Sequence, residues 1–226
     1  MGYRYKLKIM RKSKKQINSE ISKMHEMFPS NKTELLYTTP FQLLVAVILS
    51  AQTTDKQVNK VTKSLFKKIR SPDDVLEMWL ARFQQSIKSI WLYLSKSKYI
   101  FNTAQLLSGN WDNYNIPENI EELMKFPWVG IKTAKVIAHV LYDKKVVAVD
   151  THVHRIANRL GWVHTKTPEQ TSRLLEWLIY EDNKSIAHHS IILFGRYHCK
   201  ALKPQCTTCP LQSNCLYYKK LDSYIS

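Results

Sequence analysis

Phe126-Pro127-Trp128-Val129-Gly130-Ile131-Lys132-Thr133-Ala134 decides how this 226-residue chain is read. A proline and a glycine three positions apart break two stretches of helical periodicity, so the segment reads as a tight hairpin between two helices. Such a turn aims the free N–H groups and positive dipole end of the second helix at whatever lies in front of it, which is how a phosphate is held without a side chain. Lys132 falls in the first turn of that helix, electrostatically the wrong end for a cation, and so becomes a candidate nucleophile. On helical spacing Lys132, Lys135 and His139 share one face, and Ile131, Ala134, Ile137, Ala138 and Leu141 cover the other. A solvated polar stripe is the ordinary alternative for the first set.

Outward from the hairpin the signals remain helical. Thr39-Pro40 reads as an N-cap and first helical position opening Phe41 to Leu49, and Asp55 starts a helix reaching about Lys68. Ser71-Pro72 opens another with Asp73 and Asp74 in its first turn. Further helices are expected near 83–89, 95–108, 117–125, 131–142, 150–160, 168–180 and 184–197. Only five glycines are present, too few for the many turns of an all-β architecture. The fold class is therefore all-α. The longest apolar run, Leu43 to Leu49, is far short of the roughly 20 residues of a membrane span, and no signal-peptide core follows the basic N-terminus. A cytoplasmic setting, nucleoid-associated in a bacterium, is expected.

Two further constellations carry chemistry. Asp150 follows the apolar run Val146 to Val149 and precedes Thr151-His152-Val153-His154-Arg155. It is a good N-cap, and equally a carboxylate placed for proton transfer or for stabilising positive charge. His152 and His154 are two residues apart and so point to different helix faces, which disfavours a metal pair. The chain's four cysteines fall in one segment, Cys199-x6-Cys206-x2-Cys209-x5-Cys215, with Pro204 and Pro210 holding it out of helix. Four thiolates this close read as ligands of zinc or of an iron–sulfur cluster, and the spacing alone does not separate the two. Lys200, Lys203, Lys219 and Lys220 bracket the segment.

The formal net charge is +16, and residues 1–15 contribute seven Lys/Arg and no acid. The remainder is still strongly basic, which favours a polyanionic partner, nucleic acid before membrane.

Together, the cysteine spacing, the hairpin ending in Gly-x-Lys-Thr-Ala and the Val-Asp-Thr-His-Val-x-Arg run, whose Asp150 lies eighteen residues after Lys132, resemble the endonuclease III family of helix-hairpin-helix DNA glycosylases. Leu49-Ser50-Ala51-Gln52-Thr53-Thr54-Asp55 and Ile90-Trp91-Leu92-Tyr93 fall where that family has its DNA-intercalating segments. The resemblance spans about residues 16 to 216. It implies two helical domains, a six-helix domain at 33–144 and a domain of residues 16–32 plus 145–226 holding a 4Fe–4S cluster on Cys199, Cys206, Cys209 and Cys215, preceded by a basic arm at 1–15. Lys132 and Asp150 would then come from different domains.

The implied activity is that of a monomeric base-excision enzyme, a DNA glycosylase with AP lyase activity on oxidised pyrimidines or abasic sites in duplex DNA. Lys132 would attack the sugar and Asp150 would assist. Gln52 would fill the gap left by the flipped nucleotide, Leu92 would wedge into the opposite strand, and Trp128, Gly130 and Thr133 would supply hairpin contacts. Adenine and thymine mismatch glycosylases with a similar loop place other residues at the Lys132 position. A DNA-binding homologue with altered specificity or weakened catalysis, and an iron–sulfur redox protein, are the alternatives. Three positions depart from the family pattern. Trp128 stands in place of the first hairpin glycine, Trp91 in place of another glycine, and Leu94 where Asn is common. If that hairpin glycine takes a positive φ or lets a phosphate approach, Trp128 brings backbone strain or blocks the approach.

Overall fold

The computed structural model describes residues 12–29, 33–110 and 116–225, with no strand among them, as expected of an all-helical chain. Residues 1–11 lie outside the described residues. The α-helices are α1 (Lys14–Met27), α2 (Pro40–Ser50), α3 (Asp55–Leu65), α4 (Pro72–Glu77), α5 (Leu80–Ser86), α6 (Tyr93–Asn110), α7 (Ile120–Leu123), α8 (Ile131–Tyr142), α9 (Thr151–Leu160), α10 (Pro168–Leu178), α11 (Glu181–Leu193) and α12 (Leu216–Ile225). No helix among the described residues is long and apolar enough to cross a membrane. The chain divides into two compact units, Thr33–Lys144 and the described parts of Met1–Lys32 with Lys145–Ser226.

In the Thr33–Lys144 unit, α2 is buried on every side from Phe41 to Leu49, as befits a helix that is apolar all round. The Thr39 hydroxyl accepts from the Gln42 N–H at 3.2 Å, and Pro40 takes the first helical position. Helices α3, α6 and α8 pack around it. Truncating one of its buried leucines to Ala would cost about 2–5 kcal/mol.

The second unit packs α1 on α11, and α9 on α10, α11 and α12. Its N-terminal helix shortens the expected basic arm. Ser13 and Gln16 form a capping box at the start of α1. Lys12 is buried, its Nζ 2.6 Å from Glu20 Oε1, and Glu20 Oε2 accepts from Trp162 Nε1 at 2.6 Å. Lys12, Lys14 and Lys15 are therefore part of the folded unit. Other boundaries also differ from expectation. The helix expected over 117–125 is only α7, and α12 had no counterpart. α10 stops at Leu178 because the Asn18 carboxamide donates to Leu178 O at 3.1 Å and accepts from Tyr180 N–H at 2.9 Å. The end of the helix expected at 184–197 widens into a π-helical turn, Phe194–His198.

Candidate functional site

Three loops of the Thr33–Lys144 unit repeat one turn. Thr53 N–H donates to Ser50 O, Tyr93 N–H to Ile90 O and Val129 N–H to Phe126 O, each at 3.1 Å. The third residue of each turn is left-handed, with φ 56° at Gln52, 57° at Leu92 and 71° at Trp128. In the first turn, Ala51 at φ −57°, ψ 115° completes the dihedrals of a type II turn. Glycine is the usual occupant of that third position, and a larger residue there costs about 1–2 kcal/mol. All three residues point outward instead of filling the core. Gln52 is exposed, Leu92 is 42% exposed and Trp128 48% exposed. These three turns thus present their side chains at the surface from strained backbone.

The hairpin shows how Trp128 is tolerated. Its indole stacks on Tyr99 of α6, with ring centroids 4.7 Å apart and planes at 30°. Beyond it, Gly130 caps α8 with an ordinary φ of −79°, and no side chain among the described residues caps that helix. A Cβ added at Gly130 would meet nothing within 4 Å, so the fold itself does not demand a glycine there. Lys132 is exposed in the first turn of α8 and Thr133 is half-buried. The expected polar stripe is not a solvated one: Lys135 and His139 are both buried, and His139 Nδ1 lies 3.1 Å from Lys144 O. Ile131, expected on the apolar side, is exposed.

In the other unit Asp150 caps α9, its Oδ1 accepting from Val153 N–H at 2.8 Å. Burial holds the neighbouring His152 below the ordinary histidine range, against the pull of the Asp150 carboxylate. His154 Nδ1 pairs with the Thr171 hydroxyl at 2.6 Å.

The four cysteines line one small cavity together with Leu160, Phe194 and His198. Two arginines of α9 hold the start of this loop. Arg155 donates to Gly195 O at 2.8 Å and Cys199 O at 3.2 Å, and Arg159 donates to Lys200 O at 2.7 Å and Ala201 O at 2.9 Å. Burial and then the neighbouring Cys199 and Cys215 push the Cys206 thiol up. Mutually repelling thiolates in one cavity suit a positively charged centre that neutralises them. Among the described residues, however, no three His, Cys, Asp or Glu side chains converge as ligands of a single metal ion. Sequence reasoning missed Arg155, Arg159, Tyr99 and a buried lysine, Lys96. For the arginines, their spacing on α9 beside the cysteine loop was the available signal.

A helical hairpin with an open α8 N-terminus and an exposed lysine, and a cysteine-lined loop on another unit, are the features of a helix-hairpin-helix protein. Residues 45–179 match the family model for the HhH-GPD superfamily base excision DNA repair protein. Endonuclease III of Bacillus subtilis is 43% identical over 209 residues, 92% of this chain and 95% of that protein. The structure of a non-covalent endonuclease III–DNA complex superposes with a TM-score of 0.88 at 42% identity, covering 94% of this chain and 99% of that one. A trapped endonuclease III–DNA covalent intermediate gives 0.88 at 43% identity, covering 93% and 99%. The chain belongs to the endonuclease III family.

Proposed function

We propose that this protein is a bifunctional DNA glycosylase and AP lyase that removes oxidised pyrimidines from duplex DNA and cuts the strand at the resulting site. The exposed Lys132 at the open end of α8, in a chain of this family, carries the reading. Four sequential events follow from its chemistry. A damaged base is extruded from the stack. The Lys132 amine attacks C1′, the glycosidic bond breaks and the base leaves with its electron pair. Loss of a proton from nitrogen opens the sugar to an iminium, which acidifies the C2′ proton. Removal of that proton expels the 3′ phosphate by β-elimination. Asp150 takes a proton or stabilises the developing oxocarbenium charge while it caps α9. Main-chain N–H groups around Trp128, Gly130 and Thr133 bind phosphate, Gln52 fills the gap the nucleotide vacates, and Leu92 wedges into the opposite strand. The basic composition supplies the general attraction to DNA.

Cys199, Cys206, Cys209 and Cys215 would hold a 4Fe–4S cluster. Bound there, it would cross-link the loop at 199–215 and take no part in bond breaking. Iron analysis against zinc tests that assignment. A redox role would leave Lys132 and the hairpin without a task. The activity is tested by borohydride trapping on duplexes bearing an oxidised pyrimidine or an abasic site. Wild type forms a covalent adduct, and Lys132→Gln loses it by at least about 10³-fold, the scale on which removing a nucleophile acts. Undiminished trapping by Lys132→Gln overturns the lysine assignment, and absent strand cleavage by wild type overturns the activity.

A further inference from the structure

The left-handed turn at Gln52 has one buried support. Lys96, in the first turn of α6, is fully buried at 0% exposure. Its Nζ donates to Leu49 O at 2.8 Å and Ala51 O at 2.5 Å, with Thr53 Oγ1 at 3.3 Å. Those acceptors lie on both sides of Gln52. One side chain therefore holds the chain before and after Gln52.

Lysine is almost never buried fully unless a specific task repays the desolvation. Part of that cost is offset at the C-terminus of α2, whose last turn has no basic residue of its own. An ammonium there satisfies orphan carbonyls and meets the negative end of the helix dipole. The bond to Ala51 O has a sharper consequence. In a β-turn the orientation of the central peptide distinguishes type II from type I, and rotating that peptide returns the third residue to negative φ. Ala51 O is the carbonyl of that central peptide. While Lys96 grips it, Gln52 stays left-handed; released, the turn relaxes to the less strained form and swings the Gln52 side chain away.

We propose that Lys96 is a positioning residue that pins the Gln52 turn in its left-handed form, so that the Gln52 side chain is presented to damaged DNA. The proposal rests on the reading of Gln52 as the residue that fills the gap left by the extruded nucleotide. Lys96 works through that turn and touches no DNA itself.

The test is a double-substitution cycle of Lys96→Met and Gln52→Ala on full-length protein, read by single-turnover excision of an oxidised pyrimidine. Met keeps the length and apolar bulk of the stem, and replacing a buried charge by a hydrophobe is often neutral for folding. Lys96→Met is expected to slow excision about 10- to 100-fold, the scale of an ångström-level misplacement. Adding Gln52→Ala should then cost less than about 2-fold further, while Gln52→Ala alone costs several-fold. Trapping on a pre-formed abasic site, where no base has to be displaced, should change by less than about 3-fold. Multiplicative losses, or equal loss on both substrates, overturn the proposal and leave Lys96 a packing residue. If Lys96→Met does not fold, Lys96→Gln, which has no ammonium and a shorter stem, carries the same cycle with the same deciding outcomes. Wild type that neither cleaves nor traps removes the functional reading and this proposal with it; active wild type with multiplicative losses removes this proposal alone.

Discussion

If the Tyr99 stack is what makes a left-handed Trp128 tolerable, then substitutions at the two positions must be strongly non-additive. The backbone at φ 71° costs about 1–2 kcal/mol for a residue with a Cβ. The stacked rings, with centroids 4.7 Å apart, return about 0.5–1.5 kcal/mol. Burial of roughly half the indole, on the order of 100 Å², contributes about 2.5 kcal/mol at most. Trp128→Gly removes the strain together with both stabilising terms, so it is expected to cost about 2 kcal/mol. Tyr99→Leu keeps apolar bulk beneath the indole and should cost about 1 kcal/mol, the value of the aromatic pair alone. In the Tyr99→Leu background Trp128→Gly should cost only about 1 kcal/mol, a coupling that changes the opening equilibrium about 5-fold. Amide exchange at Val129, whose N–H bonds to Phe126 O across the turn, reads hairpin opening directly, and denaturant unfolding reads the global cost. Affinity for an abasic duplex should divide the variants differently. Trp128→Gly keeps the N–H and the preferred turn residue, so binding stays within about 2-fold although stability falls. A coupling below about 0.3 kcal/mol would refute the argument, because distant independent sites add that closely.

Three shorter expectations follow from neighbouring features. Gly130→Ala meets open space, so its stability should change by less than about 0.5 kcal/mol. If a phosphate binds there as proposed, the variant's affinity for abasic duplex should nevertheless drop measurably; unchanged affinity would remove the phosphate contact proposed at Gly130. Gly195→Ala would place a Cβ 3.1 Å from His152 Cβ and 3.3 Å from Arg155 Nη2. That overlap should cost about 1–3 kcal/mol and loosen the cysteine loop, seen as a lower melting temperature. Finally, burial lowers Lys96 to about 8 from 10.5, and its partners are two carbonyls and a hydroxyl that do not titrate near neutrality. Below pH 8 the group is charged in both folded and unfolded chains and the desolvation cost is fully present. Between 8 and 10.5 the unfolded chain binds more protons, so the stability of wild type relative to Lys96→Met should rise with pH across that window. A flat difference in denaturation midpoints would contradict it.

Where local chemistry decides the backbone, the sequence was readable. Thr39-Pro40, Ser71-Pro72 and Asp150 start helices because capping is settled by a side chain and its own next three N–H groups. Elements fixed from a distance were not readable. The end of α10 is set by Asn18, 160 residues away from Leu178. Helix α1 has buried Ile17, Ile21 and Met24 at helical spacing, yet no helix is expected there from the sequence, and the expected basic arm runs to residue 15, past the start of the helix at Lys14. The candidate site divides the same way. Lys132, Asp150 and the cysteines stand out by residue type in a recognisable spacing. Lys96 sits in the polar run Ser95-Lys96-Ser97-Lys98, where nothing marks one lysine as buried. The repeated turns are equally hidden, because a positive φ at Gln, Leu or Trp is dictated by surrounding structure against the residue's own preference.

That imposed preference explains why the Thr33–Lys144 unit is built around α2 and α6. Holding Gln52, Leu92 and Trp128 left-handed consumes on the order of 3–6 kcal/mol, a large share of the 5–15 kcal/mol by which a domain is stable. Glycine at each position would relieve the strain, but would remove the outward side chain. The strain can persist only where packing over-determines it, and α2, buried from Phe41 to Leu49, supplies such a foundation immediately before Gln52. Helix α6 begins immediately after Leu92, and Lys96 and Tyr99 reach from it to the turns of Gln52 and Trp128. Lys96 and Tyr99 are three residues apart and so lie on one helix face. One helix therefore begins at the Leu92 turn and reaches those of Gln52 and Trp128, and weakening its first turns should disturb them in concert.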